Sequence, residues 1–143
     1  MTESKFHIID KLKFLPSTLL IQLTSLHTGQ PNGLIGLPLT ITDESSRYLV
    51  KFDHVGRFRV INEAFNQFTE PYERISYFLY RMINSQYLQE YGETAKIFAH
   101  DVPHDAIIEH YVVYSEFYVV DVLSARPPTI ELLSESTFSN APH

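Results

Sequence analysis

Short runs of β-branched, aromatic and leucine residues recur along the chain between turn-forming residues, which is the pattern of a strand-rich protein. Leu19 to Leu26 (LLIQLTSL) reads as a strand following Pro16 and Ser17. Thr28 to Pro38 holds three glycines and two prolines and reads as a loop. Leu39 to Thr42 is a candidate short strand that ends at the polar cluster Asp43 to Ser46.

Arg47 to Glu63 reads as a hairpin closed by His54, Val55 and Gly56, with Gly56 in the left-handed conformation. That closure sets Asp53 against Arg57, Phe52 against Phe58, Val50 against Val60, Leu49 against Ile61 and Arg47 against Glu63. Apolar meets apolar and opposite charges meet, Lys51 against Arg59 excepted. A second hairpin, Ile107 to Ser124, turns at Ser115-Glu116 and pairs Val112 with Val119, Tyr111 with Val120 and His110 with Asp121.

Between the hairpins, Ile75 to Met82 fits either a strand or one stripe of a helix. Ser85 is an N-cap for a short helix running to about Lys96, with Tyr87, Leu88 and Tyr91 on its apolar face and Gly92 weakening its last turn. Past Arg126, Pro127 and Pro128 the sheet must end or reach an edge. The expected architecture is α+β. It is a single domain over residues 1–130, built as a curved, mainly antiparallel sheet with one or two short helices on one face. Residues 131–143 form a flexible C-terminal tail.

Composition narrows the chemistry more than the fold. The 143 residues match one ordinary domain, and an apolar content of 44% is enough for a core. The absence of cysteine excludes disulfides, thiolate catalysis and every cysteine-containing metal motif. Eleven basic against seventeen acidic residues give a net charge of −6, which opposes a general phosphate-backbone binder. No secretory signal or membrane-length apolar run is read, so a cytoplasmic chain without membrane contact is expected.

The candidate chemistry rests on histidines and carboxylates. His100, Asp101, His104, Asp105, Glu109 and His110 fall within eleven residues and have the atom types of metal ligands. Pro103 breaks any shared helical face, so the cluster reads as a solvated loop, His100 and His104 stay weak candidates, and no metal or other cofactor is expected. His110 opposite Asp121 is either an oriented general base or a satisfied polar pair on a sheet. No Gly-x-Ser-x-Gly elbow supplies a nucleophile, and Gly29, Gly33 and Gly36 lack phosphate-loop spacing. Arg47, Arg57, Arg59 and Lys51 can share one face of the first hairpin. Without an RNP-like motif they read as a solvated face, and no nucleic acid is expected.

Tyr48 to Phe52, Arg59 to Glu63, Ser85 to Leu88, His110-Tyr111, Asp121-Val122 and Pro127-Pro128 together resemble an uncharacterised bacterial family of small α+β proteins. The resemblance covers roughly Tyr48 to Pro128. It implies a fold and a bacterial origin, with no activity attached, and it suggests that Glu63, Ser85, His110 and Asp121 converge. With Arg126 they form the candidate polar cluster. Two functions follow as expectations. One is a non-catalytic, immunity-like or regulatory protein that binds another protein, a second copy of the chain among the candidates. The other is a small-molecule or enzymatic pocket built on Glu63, His110 and Asp121.

Overall fold

The structure, a computed structural model, describes residues 4–28, 41–62, 70–99 and 102–137. It consists of nine strands and one helix among these residues: β1 (Ser4–Leu15), β2 (Thr18–Thr28), β3 (Ile41–Phe52), β4 (Val55–Asn62), β5 (Tyr72–Arg74), β6 (Leu79–Met82), α1 (Gln86–Phe98), β7 (Glu109–Tyr114), β8 (Tyr118–Ser124) and β9 (Thr129–Thr137). A four-stranded sheet has the order β1-β2-β3-β9, and a five-stranded sheet the order β4-β8-β7-β6-β5. Every pairing is antiparallel. The fold is therefore mainly β, with two sheets and one helix in place of the expected single curved sheet with one or two helices. No helix among the described residues is long and apolar enough to cross a membrane.

The two sheets share a core. Leu19, Ile21, Leu23, Val50 and Phe52 from the first meet Val55, Phe78, Leu79, Tyr111, Val113, Val120 and Val122, which belong to the second or adjoin it. Alternation on β2 and β3 produces this face directly, since residues 19, 21 and 23 point one way and their neighbours the other.

The first expected hairpin does not form. β3 pairs with β2 and β9, whereas β4 pairs with β8, so Asp53-His54 is a corner at which the chain leaves one sheet for the other. A hairpin would leave Val55 at an exposed tip; crossing buries both Phe52 and Val55 in the core. The corner's backbone groups find partners outside the expected ladder. Val55 N–H donates to the Ser17 carbonyl (2.8 Å), Ala125 N–H to that of His54 (3.2 Å), and the Ser124 hydroxyl to that of Asp53 (2.8 Å). The left-handed residue is His54 (φ 58°), and Gly56 is needed for another reason. A Cβ at Gly56 would overlap the backbone carbonyl of Ala95, so glycine there lets α1 lie close against β4.

The second hairpin forms with a different register. Tyr114 opposes Val119, Val112 opposes Asp121, and His110 opposes Leu123. The four-residue closure from Ser115 to Tyr118 is held by the Ser115 side chain, whose Oγ donates to the Tyr118 carbonyl (2.5 Å) and accepts from its amide (3.2 Å). Each partner is displaced by two residues from the expectation, which leaves every side chain on its expected face.

Residues 75–78 are irregular and lead into β6, which resolves the strand-or-helix choice in favour of a strand for Leu79–Met82. The expected tail is corrected over residues 131–137, because β9 pairs with β3 and forms an edge of the first sheet.

Candidate functional site

β7 and β8 are covered on both faces. Tyr111, Val113, Val120 and Val122 point into the core, and the alternate residues His110, Asp121 and Leu123 point to the face on which α1 packs. Helix formation at this point follows from local chemistry. Ser85 is extended (φ −72°, ψ 148°), and its Oγ accepts from Leu88 N–H at 3.0 Å. This satisfies one of the donors a helix start leaves open. The Gln86 amide donates to a Glu70 carboxylate oxygen at 2.8 Å, which places negative charge at the positive end of the helix. Tyr87, Leu88, Tyr91 and Ala95 then form the apolar stripe that meets Ile108, Leu123 and Ala125.

This packing assembles a chain of polar side chains. Ser85 Oγ lies 2.7 Å from His110 Nδ1, and His110 Nε2 lies 2.7 Å from Asp121 Oδ1. Arg59 Nε donates to Asp121 Oδ2 at 2.8 Å. His110 and Asp121 interact as diagonal neighbours across β7 and β8, which explains why a register displaced by two still joins them. Arg59 sits directly opposite Asp121 on the other side of β8. One proton arrangement satisfies every group in the chain. Ser85 donates its hydroxyl hydrogen to Nδ1 while accepting from Leu88, and Nε2–H donates to Asp121. Burial pushes the Asp121 carboxyl up, but the hydrogen bonds from His110 and Arg59, with the charge of Arg59, outweigh it and hold the group below its usual range.

The residue order Ser, His, Asp invites comparison with a nucleophilic triad. Accessibility separates the two. Ser85 is 0% exposed, and His110 and Asp121 are each 3% exposed, so no substrate reaches the hydroxyl. Neither of two surface clefts lined by described residues includes any of the three. One, of about 460 Å³, lies between α1 and residues 105–108; the other, of about 230 Å³, lies between β1 and the β4 and β8 strands.

Of the candidate cluster, then, Ser85, His110 and Asp121 come together. Arg126 does not join them: it is exposed past the end of β8, where its amide donates to Ser124 Oγ (3.3 Å). Glu63 and His100 lie outside the described residues. His104 sits exposed in a turn, and among the described residues no group of three or more His, Asp or Glu side chains gathers as a metal site. The four basic residues expected on one face are split, with Arg47 and Lys51 on β3 and Arg57 and Arg59 on β4.

Two members of the assembly escaped sequence reasoning. Arg59 joins Asp121 across sixty-two positions of sequence, and only the β4–β8 pairing discloses it. Tyr87 belongs to the expected helix stripe, but its edge-on packing against His110 (centroids 5.1 Å apart) requires the helix to be docked. Comparison with known proteins gives no match to a family model, a curated protein or a solved structure.

Proposed function

We propose that the chain is a non-catalytic, cytoplasmic binding protein of bacterial origin, of immunity or regulatory type, that recognises another protein by adding a strand to its β9 edge. The observation that carries this reading is the unequal protection of the sheet edges. Exposed strand edges are templates for pairing, and proteins guard them with charge, bulges and short strands. β1 carries exposed Asp10, Lys11 and Lys13 and a bulge between Ile9 and Lys11. β4 carries exposed Arg57 and Arg59, and β5 is three residues long with exposed Glu73 and Arg74. β9 also has an exposed charge, Glu131, and a bulge at Leu133. It nonetheless exposes three large apolar side chains, Ile130, Leu132 and Leu133, at 38%, 49% and 42%, where β1 exposes two (Phe14 and Leu15) and β4 and β5 one each (Val60 and Tyr72). Ile130 and Leu132 lie opposite Val50 and Tyr48, on the face of the sheet that carries the core. An incoming strand would extend that face and cover them.

The buried state of Ser85, His110 and Asp121 favours binding over catalysis, since a reactive centre needs access. The test is capture from a bacterial lysate by the wild-type protein and by the double variant Ile130→Lys, Leu132→Lys. One protein retained by the wild type and lost by the variant, with unchanged melting temperatures, supports the reading. Equal retention by both overturns it.

A further inference from the structure

The buried relay uses only part of a larger cluster between β4 and α1. Arg57 and Arg59 alternate with Phe58 and project to the same face, toward the helix. α1 answers with Tyr87 and Tyr91, one turn apart on its packed stripe. The Arg57 guanidinium lies 3.8 Å from the Tyr91 ring centroid and 6.0 Å from that of Tyr87, and the Arg59 guanidinium lies 4.1 Å from the Tyr87 centroid. Stacking on a ring holds a guanidinium's plane in place while its N–H edge stays free for an acceptor, so little further ordering is needed on binding.

Those donors are largely unspent. Arg59 gives Nε–H to Asp121, and no acceptor for its Nη groups is found among the described residues. Arg57 has no carboxylate partner among them. Both side chains are exposed to solvent. Asp121 is the one carboxylate paired with either guanidinium among the described residues, so the pair carries a positive excess on a chain whose net charge is −6.

Tyr87 is only 4% exposed and its hydroxyl is buried, so its part is that of a platform, its ring holding the Arg59 guanidinium in place.

We propose that Arg57 and Arg59, held on the Tyr91 and Tyr87 rings, form an anion site that takes a phosphate group. A carboxylate offers two oxygens to a donor set made of one complete guanidinium and the free end of another. A phosphate offers three or more strong acceptors and up to two negative charges. The group can come from free phosphate or from a phosphorylated side chain, and the two sources are distinguishable.

The experiment follows the arginine Nε–H signals of the ¹⁵N-labelled full chain during titration with inorganic phosphate at constant ionic strength. Saturable shifts at Arg57 and Arg59 are expected, with acetate binding about tenfold more weakly. Arg57→Ala should lower phosphate affinity by about tenfold or more. Tyr87→Phe keeps the ring beneath Arg59 and removes only the buried hydroxyl, so phosphate affinity should stay at the wild-type value. A phosphoserine peptide that binds more tightly than inorganic phosphate assigns the site to a phosphorylated segment, and equal affinity assigns it to the free ion. Linear shifts, an equal response to acetate or undiminished affinity in Arg57→Ala would overturn the proposal.

Discussion

The two faces of β7 and β8 differ in what each substitution costs. On the inner face Tyr111, Val113, Val120 and Val122 meet the first sheet through apolar packing alone. That attraction is non-directional and grows with the area removed from water. On the outer face His110 and Asp121 are almost equally buried, yet each depends on named partners, Ser85 on one side and Arg59 on the other. Trimming an apolar side chain on the inner face shrinks the buried area and strands no polar group. Removing a polar partner from the outer face leaves a desolvated charge or dipole behind.

The largest effect should follow removal of the charge at the centre. Asp121→Ala leaves Arg59 and His110 without their shared acceptor and is expected to cost about 3–5 kcal/mol in urea unfolding, the range for breaking one side of a buried ion pair. Acid should act on the same group. Asp121 titrates below its ordinary value of 3.8 in the folded protein, so its contribution is complete above about pH 4 and is lost as pH falls through the folded value. Asp121→Asn should remove that part of the acid dependence. A slope identical to the wild type's would show that Asp121 gains nothing from its partners.

Ser85→Ala should come next, at about 2 kcal/mol. It removes both the helix cap and the partner of His110 Nδ1. Circular dichroism should show the loss concentrated in helical signal, because the same hydroxyl starts α1. The inner face should respond least. Ile21→Val on β2, in the fully buried core that the inner face packs against, is expected to cost about 1 kcal/mol. A cost equal to that of Asp121→Ala would erase the distinction between the faces.

Much of this arrangement was legible locally. Ser85 as a cap, the Tyr87–Leu88–Tyr91 stripe and the hairpin joining His110 to Asp121 each depend on residues near one another in sequence. The hairpin's exact register was not, because Ser115 holds a wider turn than its neighbours suggest. The pair survived that error because a displacement of two residues preserves the face. The first hairpin failed for the opposite reason. Its strands do complement one another, but the burial of Phe52 and Val55 and the bonds from Ser17, Ser124 and Ala125 come from distant segments. Gly56 looked like a turn residue and instead makes room for a neighbouring helix, a role set by α1 some forty positions later. Arg59 and Tyr87 became visible as site residues only once β4, β8 and α1 were docked.

Ser85, His110 and Asp121 form a sealed polar relay that fixes α1 on the second sheet. Labelling of the native protein with a fluorophosphonate, read by mass spectrometry at Ser85, is the sharpest check of that seal. A triad serine reacts stoichiometrically with such a reagent; the relay predicts no adduct at Ser85 in the folded chain. Stoichiometric modification of Ser85, abolished by His110→Ala, would contradict it.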